Sequence, residues 1–178
     1  MENFSVERIF DAVQHIEAYK NRIENKIEDL GITVEEFQAQ YNQNALEKNL
    51  PQMQITNFEF GNGDSADTFG YKFVDTFFLF GKINSETGKI KSLSITKALV
   101  FNGNDRKTEM QASASAFLIM VKTLSPELTA EGRAAIINKF SASDKPYVAV
   151  TEGNIKYNQA FMDNGKVLML SADVKDKK

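Results

Sequence analysis

The chain has 178 residues, 42% of them hydrophobic, with 21 basic and 24 acidic side chains and no cysteine or tryptophan. That length and balance predict one water-soluble domain and exclude a disordered tail, a collagen-like fibre and a membrane bundle. Without cysteine, disulfides, thiolate nucleophiles and Cys-ligated zinc or iron–sulfur centres are excluded too, and a net charge of −3 argues against a generic nucleic-acid binder.

After Met1-Glu2-Asn3 no apolar h-region of about 7–15 residues follows, so the expected location is the cytoplasm, or outside the cell after removal of a leader. From Val6 to Leu30 apolar residues repeat every seven positions: Val6, Val13 and Ile27 in one register, Ile9, Ile16, Ile23 and Leu30 in the other. This predicts a long amphipathic helix over residues 1–31. Asn3 or Ser5 suits its start and Gly31 its end, and it would span about 37 Å at ~1.5 Å per residue. Lys20 interrupts the seam. Such a helix outlasts a small sheet, which makes Ile16, Lys20, Ile23, Ile27 and Leu30 the candidates for contact with another protein or a second copy of the chain.

Thr33-Val-Glu-Glu36 is a capping box and Ile32 with Phe37 a hydrophobic staple, so a second helix should run to about Lys48 and stop at Leu50-Pro51. The period then changes to two. Strands are predicted at 54–60, 68–74, 76–82 and 89–100, separated by Gly61-Asn-Gly-Asp-Ser-Ala-Asp67 and Asn84-Ser-Glu-Thr-Gly88. Loops this short require antiparallel pairing. A third helix is expected over 108–124, buried because Phe117-Leu-Ile-Met-Val121 has no polar side, and a fourth over 129–140 after Ser125-Pro126. Strands at 147–151, 155–162 and 167–172 close the chain, the last two joined by Asn164-Gly165.

The expected fold class is α+β: an antiparallel sheet with helices on one face, in two similar α-β halves, preceded by the long helix. The single domain 1–178 divides into helix 1–31, a helix with four strands over 32–101, helices with three strands over 102–173, and a frayed tail over 174–178.

Chemistry-bearing motifs are few. His15 sits alone on the first helix and reads as an exposed residue. No Walker loop, dinucleotide fingerprint, HExxH or GxSxG occurs. The Gly61–Asp67 stretch and Asn102-Gly103-Asn104-Asp105 superficially look like calcium loops but lack EF-hand spacing, and read as turns between strands. No catalytic residue, metal or cofactor is expected. The unusual feature is phenylalanine: Phe58, Phe60, Phe69, Phe73, Phe77, Phe78 and Phe80 fall within 23 residues. Phe69, Tyr71 and Phe73 should share one face, and Phe78 and Phe80 should oppose Phe77 and Leu79. The plain reading is a central strand with the long helix over its second face; the functional one is an exposed aromatic patch or an apolar cavity.

Gly63-Asp-Ser-Ala-Asp-Thr-Phe-Gly-Tyr71, Asn84-Ser-Glu-Thr-Gly-Lys-Ile-Lys91, Pro126-Glu-Leu-Thr-Ala-Glu-Gly-Arg133 and Gly153-Asn-Ile-Lys-Tyr157 together resemble a family of uncharacterised bacterial domains often found in exported or lipid-anchored proteins. The resemblance implies an α+β fold and supplies no active site. The expected function is that of a non-catalytic protein-binding module, a bacterial or phage regulator or inhibitor that occludes or tethers a partner protein. The alternative is a carrier with an apolar pocket between the aromatic sheet and the helices. A carboxylate-only hydrolase ranks third. Neither nucleic acid nor membrane is an expected partner.

Overall fold

A computed structural model describes residues 29–62, 67–99 and 103–175. Among the described residues seven strands form one antiparallel sheet: β1 (Glu59–Phe60), β2 (Thr68–Val74), β3 (Phe77–Ile83), β4 (Ile90–Ala98), β5 (Tyr147–Glu152), β6 (Ile155–Met162) and β7 (Val167–Val174). Their spatial order is β1-β2-β3-β4-β7-β6-β5, so the last strands of two meanders, β4 and β7, meet at the centre. The described helices are α1 (Val34–Glu47), α2 (Gly103–Leu124) and α3 (Ala130–Ser141), with a 3-10 turn at Pro51–Met53. The fold is thus α+β with an antiparallel sheet, as its periodicities predict. The heptad segment before Asp29 lies outside the described residues.

Local signals set most boundaries. The capping box closes as expected: the Glu36 amide donates to Thr33 Oγ1 at 3.2 Å and the Thr33 amide to Glu36 Oε2 at 3.0 Å. The β6–β7 turn takes the four residues Asp163 to Lys166, with positive φ at Asp163, Asn164 and Gly165, because Met162 already pairs with Val167. Asn and Gly tolerate that left-handed backbone at little steric cost.

Three expectations need correction. The strand expected over 54–60 shrinks to Glu59–Phe60. Asn42 on α1 accepts the Ile55 amide and donates to the Ile55 carbonyl, both at 2.7 Å, and Gln38 donates to the carbonyls of Ile55 and Thr56. Helix side chains thereby take the backbone groups that a sheet ladder would have used. The helix expected from 108 begins at Gly103, so Gly103 to Asp105 form its first turn and not a turn between strands, with Asp105 at the positive end of the dipole. The last strand runs to Val174, past the expected 172.

Register divides the sheet into two faces. Phe69, Leu79, Ile95, Leu93, Leu168, Leu170, Ala172 and Tyr157 share one face and are all at most 3% exposed. The helices cover this face. Phe117, Ile119, Met120 and Val121 of α2 are fully buried; the Phe117 ring stands edge-on to Tyr157 at 5.9 Å and tilts against Phe140 of α3 at 5.7 Å. Tyr157 and Ser125 share a buried hydroxyl–hydroxyl hydrogen bond of 2.8 Å. On the other half, α1 buries Phe37, Tyr41 and Ala45, and an aromatic chain runs Phe58–Phe69, Phe58–Tyr71, Tyr71–Phe73 and Phe73–Phe77. Phe69, Tyr71 and Phe73 therefore share the helix side, as their alternation implies. Among the described residues a charged pair enters this layer: Lys97, 6% exposed, donates to Thr76 Oγ1 at 2.6 Å and to Glu109 Oε1 of α2 at 3.1 Å.

Candidate functional site

Two surfaces stand out. The first is the other face of the sheet, on which none of the three described helices packs. Alternation places Phe78 and Phe80 of β3, Ser92, Ser94 and Thr96 of β4, Met169 and Ser171 of β7, Asn158 and Met162 of β6, and Tyr147 of β5 there. Seven strands at ~4.8 Å make it roughly 29 Å wide. Phe80 is 51% exposed, Tyr147 50% and Met162 40%. The Phe80 ring stacks on Phe78 at 5.9 Å and lies over Gly70, whose bare backbone leaves it room.

At the opposite end of the same face, polar side chains close on one another. Tyr147 donates its hydroxyl to Asn158 Oδ1 at 2.7 Å; Asn158 Nδ2 donates to Asp173 Oδ2 at 2.8 Å and to Ser171 Oγ at 3.1 Å; Ser171 Oγ donates to the same Asp173 oxygen at 3.1 Å. Asn158 and Ser171 are nearly buried although no described helix covers them. The Ser171–Asp173 contact does not single out an activated hydroxyl, because the same carboxylate oxygen also accepts from Asn158. The group's evident effect is to hold the Tyr147 ring in place on the sheet.

The second surface is a groove of about 410 Å³ on the helix side, between α2, α3 and strands β6 and β7. Met110, Ala114, Ile137, Phe140, Leu168 and Leu170 supply its apolar lining, and Arg106, Lys107, Gln111, Ser141 and Gln159 its polar groups. It exceeds the ~300 Å³ at which small-molecule sites begin. Of the described phenylalanines only Phe140 lines it, so the cavity is not the one anticipated under the aromatic strands, whose helix-side rings Phe58, Phe69, Phe73 and Phe77 pack into or against the core. The sequence holds one faint signal of it: Ala112-Ser-Ala-Ser-Ala116 gives α2 little bulk to fill the space at its side.

Of the residues expected to contact a partner, Ile16, Lys20, Ile23 and Ile27 lie outside the described residues, as does His15. Leu30 is 7% exposed and packs in the protein's own core, its amide donating to the Ile90 carbonyl at 2.7 Å. Among the described residues the structure presents Phe80, Tyr147 and Met162 on the sheet face, and the groove residues. Among the described residues no group of three His, Asp or Glu side chains could hold a metal ion, and no helix is long and apolar enough to cross a membrane.

Two tyrosines show how dry the helix side is. Burial pushes the Tyr157 hydroxyl up to about 12, with the Ser125 hydrogen bond opposing the shift. Burial raises Tyr41 further, with Tyr71 adding to it, and the Tyr41 hydroxyl finds no hydrogen-bond partner among the described residues. Compared with known protein families, curated proteins and solved structures, the chain matches none.

Proposed function

We propose that this protein is a non-catalytic binding module that engages another polypeptide, a second copy of itself included, through the face of its sheet that none of the described helices covers. The observation that carries the reading is the exposure of Phe80, Tyr147 and Met162 on that one face. Aromatic and methionine side chains are the types enriched at protein interfaces, and a ring held by a hydrogen bond, as Tyr147 is, loses little rotamer freedom on binding.

The test compares wild type with Phe80→Asp/Met162→Asp. Both positions are exposed, so the fold should survive, which far-UV circular dichroism checks. Light scattering reports self-association, and affinity purification from the native host with both baits reports other partners. Loss of self-association, or of a stoichiometric partner, in the double variant supports the face. Identical association and capture by both baits sinks it.

A second reading, a carrier of a small apolar molecule, is favoured by the groove between α2, α3 and the sheet. The two readings use opposite sides of the sheet and are separable by mutation.

A further inference from the structure

The sheet has two edges, and among the described residues they are unlike. At one end β1 is two residues long and starts with the charged Glu59. At the other β5 runs Tyr147-Val-Ala-Val-Thr-Glu152 and pairs with β6 without a register shift. The Phe161 amide donates to the Pro146 carbonyl at 2.8 Å, so by alternation Val148, Val150 and Glu152 also turn their backbone groups to β6. Tyr147, Ala149 and Thr151 therefore aim theirs away from the sheet, and among the described residues nothing bonds to these amides and carbonyls. All three residues are exposed, so no described element covers the edge. Open edges are ordinarily blunted by a short strand, a bulge, a lysine or a proline. The length and charge of β1 do this, but β5 carries no charge before Glu152 and is small or β-branched from Val148 to Thr151. Pro146 is no guard either, because its missing N–H falls on the side that faces β6.

We propose that β5 is the contact through which two copies of this chain join, antiparallel about a two-fold axis at Ala149, so that one sheet continues from copy to copy. The outward backbone groups are centred on Ala149. A two-fold axis there sets Ala149 against Ala149 of the second copy, and Tyr147 against its Thr151. Opposed residues of this kind exchange both backbone bonds, so every outward amide and carbonyl of Tyr147, Ala149 and Thr151 finds a partner. The side chains agree with that register: the smallest residue of the strand meets its own copy at the axis, Val148 faces Val150, and Glu152 falls opposite Pro146, so no like charges are opposed. An edge that satisfies itself in this way makes a closed, isologous pair, which selects a second copy over an unrelated extended peptide. The contact lies on the rim of the sheet and goes beyond the face assigned above, which the pairing carries unbroken across both copies.

Sedimentation velocity over a concentration series up to about 1 mM should show wild type passing from monomer to dimer. Ala149→Pro deletes an outward donor without touching the β6 ladder and should weaken the dimer about tenfold or more. Thr151→Lys, an exposed change that charges the edge, should do the same. Phe80→Asp/Met162→Asp should leave this dimer unchanged, so that the edge and the face can fail separately. Register is read with cysteine, which the chain lacks. Ala149→Cys sets two thiols on Cα atoms about 5.5 Å apart, within the reach of a disulfide, whereas two Thr151→Cys positions lie about 14 Å apart along the strand. Mild oxidation should join Ala149→Cys chains about tenfold faster, or more, than Thr151→Cys chains. A wild type that is monomeric at every concentration, a dimer that survives both Thr151→Lys and a folded Ala149→Pro, or Thr151→Cys chains that oxidise as fast as Ala149→Cys chains overturns the proposal. A dimer lost in Phe80→Asp/Met162→Asp assigns self-association to the face and overturns the edge as well.

Discussion

Replacing Gly81 with alanine should unseat the Phe69 ring. Gly81 lies on β3 directly opposite Phe69 of β2, and a Cβ built there would fall inside contact distance of three carbons of that ring. The ring is 2% exposed and stands edge-on to Phe58 at 4.9 Å, so it has little space to retreat. Overpacking a closed core costs about 1–3 kcal/mol, and disturbing the aromatic contact costs about 0.5–1.5 more. Alanine loses less backbone entropy than glycine in a strand, which returns about 0.5–1. The net loss is about 2 kcal/mol, a fall in Tm of about 4–8 °C for a chain of this size. Urea unfolding of Gly81→Ala, Phe69→Ala and the double variant measures it. Phe69→Ala alone should lose about 3–5 kcal/mol, but in that background Gly81→Ala should cost nothing, because the ring it would strike is gone. A cost for Gly81→Ala below about 0.5 kcal/mol, or the same cost with and without the ring, would show that the glycine is not kept open for Phe69.

Three further outcomes are expected. Tyr41→Phe should raise stability by about 1 kcal/mol in urea melts, since it removes a buried hydroxyl with no partner, and a loss of that size would contradict the packing around α1. Tyr157 keeps its proton more tightly folded, at about 12, than unfolded, at 10.0, so its contribution is complete below pH 10 and fades as pH rises toward and past 12; the urea midpoint of Tyr157→Phe should fall less steeply over that alkaline range than that of wild type, and parallel curves would refute the assignment. Lys97→Ala should cost about 3 kcal/mol by removing the buried ammonium that donates to Thr76 and Glu109, whereas Lys97→Met/Glu109→Leu should cost less than the single change; the reverse order would mean that the pair contributes by packing alone.

Much of the fold was legible because it is written in short-range chemistry. Period-two runs, the Thr33–Glu36 box, the proline after Ser125 and the Asn164-Gly165 turn each act within a few residues, and the strands at Thr68–Val74 and Ile155–Met162 appear where the alternation puts them. The failure over 54–60 has the opposite character. Alternation there favours a strand, but Asn42 and Gln38, 13 to 18 residues away, bind the backbone first. A pattern read along the chain carries no information about such a competitor.

The sequence by itself determined the class of the protein: a cysteine-free α+β chain, its strands antiparallel because the loops between them are short, its α2 core apolar all round. The absence of familiar catalytic motifs was also legible. Only tertiary structure decided which surfaces those are. Phe69 and Phe80 are the same residue type on neighbouring strands, yet one is sealed beneath helices and the other is half exposed, because helices cover one side of the sheet and a strand's alternation cannot say which. Likewise Arg106 and Leu168, 62 residues apart in sequence, line one groove only because β7 pairs with β4 at the sheet centre, below α2. Burial and juxtaposition are properties of the assembled layers, and the candidate sites of this protein are made of both.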